Sequence, residues 1–209
     1  TVKNKSSNRS FSRRLKARGG GIKRAIEKYF DLKDLKQEIR DRESFRKKAY
    51  KLPGEEYWTI GYGFNNPNVK EGDIMTKKEA EKRLDKEVSE RVVTLDTMLS
   101  DVKHMNKDAQ RAIFSEHYRG SIKQSPATRK LINRGNYKEA AVEFLNNDQY
   151  RNAEKLGIRG IKPRMEAVSN ELMNMYNRSY VNPDYMKHDN APTRNKTVSG
   201  FLQRGIHPF

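Results

Sequence analysis

One short run decides most about how this chain can fold. Trp58-Thr59-Ile60-Gly61-Tyr62-Gly63-Phe64 alternates as an extended segment, with Trp58, Ile60, Tyr62 and Phe64 on one face and Thr59, Gly61 and Gly63 on the other. Most other apolar residues step by three and four, the period of a helix. The expectation is an α+β chain dominated by α: a small β-hairpin lobe, a helical lobe, and extended N- and C-terminal tails. Glycine within a strand marks a bend or the close approach of another molecule. A Thr59 hydroxyl flanked by bare backbone therefore reads as the open floor of a cleft, and a hairpin that merely twists sharply is the alternative.

Around that run the helices can be placed from their caps. Ile22, Ala25, Ile26, Tyr29 and Phe30 share a helical spacing, and Asp34 to Lys48 forms a second amphipathic stretch with Leu35, Ile39 and Phe45 on one side. Thr76-Lys77-Lys78-Glu79 is a capping box that opens a long helix, whose Ala80, Leu84, Val88, Val92, Leu95 and Leu99 form a stripe. Asn106 caps the next helix, which ends near Tyr118 and Gly120, and Ser125-Pro126 starts a short one that Gly135 stops. Asn136 with Glu139 caps another, and Pro163 begins the last, with Met165, Val168, Leu172 and Tyr176 on one face. Periodicity is lost after Asn177. These signals divide the chain into a basic extended arm over 1–21, a folded domain over 22–178 and an extended tail over 179–209.

The 44 Lys and Arg against 27 Asp and Glu give a formal net charge of +17, enough to attract polyanions such as an anionic cell-wall polymer or nucleic acid. The arm TVKNKSSNRSFSRRLKARGGG holds no acid and cannot bury enough apolar surface to fold alone, so it reads either as a solvated tail or as an arm that docks on a partner. Arg9, Arg13, Arg14, Lys16 and Arg18 could touch phosphates, yet no nucleic-acid-binding fold accompanies them, so nucleic acid is not the expected main partner. The absence of Cys excludes disulfides and thiolate chemistry. No signal peptide and no apolar run of membrane-spanning length is evident, so a soluble chain without membrane insertion is expected. His104, His117, His188 and His207 show no metal-ligand spacing, and no metal or cofactor is expected.

Upstream of the hairpin stands Arg42-Glu43-Ser44-Phe45-Arg46-Lys47-Lys48-Ala49-Tyr50, a helix end with one acid among basic residues, where Glu43 could simply pair with Arg46 or Lys47. Joined to YWTIGYG, this string resembles the motif of the phage T4-type lysozymes, peptidoglycan muramidases of glycoside hydrolase family 24. Thr76 to Leu84, Arg111 to Gly120, LINRGNYKEAAVEFL at Leu131 to Leu145 and IRGIKPRMEA at Ile158 to Ala167 are similar to later segments of that family. The resemblance spans about Asp34 to Tyr176.

It implies a lysozyme-like fold and hydrolysis of the β-1,4 bond between N-acetylmuramic acid and N-acetylglucosamine, with no cofactor. Glu43 matches the family's general acid, and Thr59 matches a catalytic Thr that positions water. Tyr50, Gly61, Tyr62, Gly63 and His117 would line the substrate. The family carries an Asp nine residues after the Glu, and here that position is Leu52. Glu55 or Glu56, in a turn one residue longer than in the T4 enzyme, would have to supply the second carboxylate, Glu55 being slightly preferred. Otherwise the domain is a catalytically weakened building block. Phe64 stands where many relatives have His. The resemblance and the two tails together imply a phage protein carried on the virion, at its tail or baseplate, with phage structural proteins as partners and peptidoglycan glycan strands as substrate.

Overall fold

The structure, a computed structural model, describes residues 26–52 and 54–181. The arm expected over 1–21 and the tail from 182 onward lie outside these residues, as do residues 22–25 at the start of the first expected helix. The described residues fall into two compact units that divide between Ser121 and Ile122.

In the first unit, helix α1 (Leu32–Glu43) is capped by Asp31, whose carboxylate accepts from the Asp34 N–H at 3.1 Å, and it buries Leu32, Leu35 and Ile39. The helix expected to run to Lys48 stops at Glu43, and Arg46–Tyr50 is strand β1. Ser44 breaks it at φ 47, the one positive φ outside glycine among the described residues. Phe45 thereby leaves the Leu35/Ile39 stripe and lies beside Tyr62, with ring centroids 5.7 Å apart.

The sheet is antiparallel in the order β1-β2-β3, with β2 at Thr59–Gly61 and β3 at Phe64–Asn65. Arg46 faces Gly61 and Tyr50 faces Thr59, so β1 bulges between these pairs. Within the bulge the chain turns to a third segment: the Lys47 carbonyl accepts from the Met75 N–H and the Ala49 N–H donates to the Asp73 carbonyl, both at 2.9 Å. The single strand expected over Trp58 to Phe64 is a hairpin. Thr59 pairs with Asn65 and Ile60 with Phe64, and Gly61 and Gly63 turn the chain at φ 66 and 77. Thr59 and Gly63 thus do not share a strand face.

Helix α2 (Lys77–Met98) has the full capping box at Thr76 and Glu79, and Ala80, Leu84, Val88, Val92 and Leu95 are buried. Leu99 and Val102 continue the core through a 3-10 turn at Val102–His104. Helix α3 (Lys107–Arg119) is capped by Asn106, which accepts from the Ala109 N–H at 2.9 Å, and ends at Gly120 in the left-handed conformation. Buried Gln110 donates to the Tyr29 carbonyl at 3.1 Å and to the Val102 carbonyl at 3.2 Å, tying the chain before α1 to the 3-10 turn.

One helical turn, α4 (Ser121–Gln124), spans the division between units. The second unit contains α5 (Pro126–Ile132), α6 (Tyr137–Leu145), α7 (Asp148–Arg151) and α8 (Ile161–Val181). Ile132, Tyr137, Ala140, Phe144, Met165, Val168 and Leu172 are buried in it. The Asn136 side chain makes no cap hydrogen bond. Asn147 caps α7, accepting from the Tyr150 N–H at 2.9 Å. Pro163 falls inside the first turn of α8 rather than at its start, a position where a missing N–H costs nothing. Tyr176 is half-buried while Met175 points inward, and α8 continues past Asn177. Among the described residues no helix is long and apolar enough to cross a membrane.

Candidate active site

Glu43 is the last residue of α1, and its carboxylate stands against the hairpin turn. A Cβ placed on Gly63 would lie 3.2 Å from Glu43 Oε2, so a bare α-carbon at 63 is what lets the carboxylate come this close. The sequence motif and the folded geometry therefore bring Glu43 and Gly63 together. Arg46, one of the two ion-pair partners offered for Glu43, leaves the helix for β1 and lies over the Tyr50 ring at 5.4 Å.

Thr59 is buried, at 5% exposure, rather than open as its strand position suggested. Its Oγ1 accepts from Asn65 Nδ2 at 2.9 Å, and the same amide donates to the Tyr57 carbonyl at 2.9 Å. With one lone pair so engaged, the Thr59 hydroxyl is held toward Asn65 and still has its proton to give. Asn65, just after the hairpin turn, is the residue that sets this. Only the recognition that Gly61 to Gly63 reverse the chain would have put it opposite Thr59.

The turn residue Tyr62 is buried and held at both ends. Its hydroxyl donates to Glu81 Oε1 at 2.6 Å, and its carbonyl accepts from the Tyr118 hydroxyl at 2.9 Å. Arg40, one turn before Glu43 on α1, clasps Glu81 through Nη2 at 2.7 Å and Nε at 3.2 Å. The Arg40 guanidinium holds the Glu81 carboxyl below its usual range, against the opposing effect of burial and with help from the Tyr62 hydroxyl. Tyr62 thus builds the turn through a fixed network, and a helical Arg and Glu that look like solvated charges in sequence are its supports.

The segment before the hairpin places the two candidate carboxylates differently. The Leu52 N–H donates to Glu55 Oε2 at 3.0 Å, while the Leu52 side chain is exposed. Half-buried Tyr50 has its phenol pushed up by burial first, then by Glu55, with Arg46 opposing and Glu43 adding to the rise. Tyr50 therefore feels both Glu43 and Glu55. Glu56 is exposed and lies near the hydroxyl of half-buried Tyr57, whose pKa it raises. His117 is buried on α3 with its ring 6.5 Å from that of Phe114, and the neighbouring residue Tyr118 reaches the hairpin. Among the described residues no group of three or more His, Asp or Glu could hold a metal ion.

Residues 40–167 match the family model described as phage lysozyme. The chain belongs to the phage lysozyme family. Glu43, the hairpin, Glu81 and Tyr118 all lie within the span matched to that family, and the arm over 1–21 lies before it. An endolysin of Bacillus phage B103 is 38% identical over 109 residues, which cover 51% of this chain and 41% of that endolysin. The chain thus spans less than half the length of this relative.

Proposed function

We propose that the chain is a peptidoglycan hydrolase that cleaves the β-1,4 bond between N-acetylmuramic acid and N-acetylglucosamine. The observation that carries this reading is the Glu43 carboxylate seated at the end of a helix against Gly63, beside a hairpin whose Thr59 hydroxyl is oriented by Asn65. Glu43 gives its proton to the glycosidic oxygen as the bond from the anomeric carbon breaks. Water, positioned by Thr59, bonds to that carbon and yields its proton to the second carboxylate.

Glu55 fits that last task better than Glu56. Its carboxylate folds back onto the backbone N–H of residue 52, the position at which the family has an Asp, and Tyr50 senses it together with Glu43. Glu56 is turned to Tyr57 and solvent. The net charge of +17 would gather the protein on an anionic wall before any glycan enters the site.

Release of reducing ends from purified sacculi tests the reading directly. The wild-type chain should release them, Glu55→Gln should slow release by about 100-fold, and Glu56→Gln should leave it within about 2-fold of wild type. Equal rates in both variants would mean that neither is the second carboxylate. The exposed Leu52 favours one competing reading, a lysozyme fold kept as a building block with weak catalysis. Wild-type protein that binds sacculi without releasing reducing ends would establish that reading instead.

The acid-free composition of residues 1–21 supports a location on the phage particle, at its tail or baseplate, through contacts with phage structural proteins. Deleting residues 1–21 should release the protein from purified particles and leave its rate on sacculi unchanged. A truncated chain that stays with the particle would show the arm is not the anchor.

A further inference from the structure

Tyr62 lies between the two glycines of the hairpin, and the next residue is the one that touches Glu43. Whatever sets the plane of the Tyr62–Gly63 peptide sets where Gly63 stands against the carboxylate. Two helices hold this peptide from opposite ends of Tyr62: Glu81 of α2 through the side chain and Tyr118 of α3 through the carbonyl. Tyr118 is itself fixed. Its ring lies beside Phe114 at 6.4 Å, Arg91 sits over it at 4.5 Å, and the same guanidinium donates to the Tyr118 carbonyl at 3.0 Å. Burial pushes its phenol well above the usual range, Arg91 opposes this, and Glu87 and Glu43 add to the rise. The hydroxyl is therefore a permanent donor at any working pH.

We propose that Tyr118 is a positioning residue for Glu43, its hydroxyl fixing the Tyr62–Gly63 peptide against which the carboxylate is seated. The proposal rests on the reading of Glu43 as the general acid. A buried tyrosine always needs a partner for its hydroxyl, and a merely structural tyrosine would satisfy that need at any convenient carbonyl. Here the carbonyl chosen belongs to the peptide that borders the acid. Tyr118 and Glu43 come from helices separated in sequence by the hairpin and all of α2, and the hairpin turn is where they meet.

Removing one oxygen isolates the effect. Tyr118→Phe keeps the ring and its packing but leaves the Tyr62 carbonyl without this donor. Ile113→Val, a buried change on the same helix, serves as a control for loss of stability alone. Tyr118→Phe should lower kcat on sacculi about 10-fold with KM within about 2-fold, because a small misplacement of the acid penalises the transition state more than binding. Amide hydrogen exchange at Tyr62, Gly63 and Phe64 should quicken in Tyr118→Phe and not in Ile113→Val. A Tyr118→Phe protein that matches Ile113→Val in both kcat and exchange overturns the proposal and leaves Tyr118 a core residue. Wild type that releases no reducing ends overturns the proposal together with the function. Active wild type with unchanged exchange in Tyr118→Phe overturns the proposal alone.

Discussion

Glu43→Gln should reduce the release of reducing ends from sacculi by about 1000-fold or more while leaving the thermal midpoint within about 2 °C of wild type. The two side chains have the same shape, and the amide fits the space beside Gly63 that the carboxylate occupies. What is lost is the proton. A glycosidic oxygen leaves as an alkoxide unless it is protonated as the bond breaks, and an amide cannot supply that proton. The pairing of an unchanged midpoint with a collapsed rate is what identifies an acid, because a structural Glu at a helix end would show the reverse. Retention of more than about a tenth of the rate would remove Glu43 from the chemistry, since general acid catalysis is worth at least about 100-fold.

The parts of this fold that were legible in the sequence are those whose causes are local. The Thr76/Glu79 box and the stripe from Ala80 to Leu95 define α2 within a few residues of each other, and the structure has that helix with those residues buried. Asn106 and Gly120 bound α3 in the same way. β1 was not legible, because Leu35 and Ile39 step as a helix does and nothing in the spacing up to Phe45 marks where that helix ends. The partners that make Arg46 to Tyr50 a strand are β2 and the segment at Asp73 to Met75, which sequence spacing does not reveal. The same division holds in the candidate site. Glu43, Thr59 and the two glycines stand out as a motif, whereas Asn65, Glu81, Arg40 and Tyr118 acquire their partners only when the chain closes on itself. At Leu52 the sequence displays a missing carboxylate. That Glu55 returns to the backbone of that residue is a property of the turn.

Gly61→Ala should destabilise the protein by about 2–5 kcal/mol in urea unfolding, from two separable causes. At φ 66 an alanine meets the left-handed penalty of roughly 1–2 kcal/mol. Its Cβ would also fall 2.7 Å from Cδ2 and Cε2 of Phe64 and 3.0 Å from Met75 Sδ, and relieving such overpacking costs about 1–3 kcal/mol. Phe64 has little room to yield, being buried, with Arg83 over its ring at 4.4 Å and Tyr62 edge-on at 6.4 Å. Gly72 separates the two causes. It shares a positive φ, 84, but a Cβ there meets nothing within 4 Å, so Gly72→Ala should lose only the backbone part, about 1–2 kcal/mol. If the two variants lose the same stability, the Phe64 ring is not fixed as described. The activities should diverge too. Any adjustment that admits a methyl group at residue 61 must move Phe64 and with it the next residue, Asn65, which orients the Thr59 hydroxyl. Gly61→Ala should therefore lose activity even at temperatures where it remains folded, whereas Gly72→Ala should keep its rate until it unfolds.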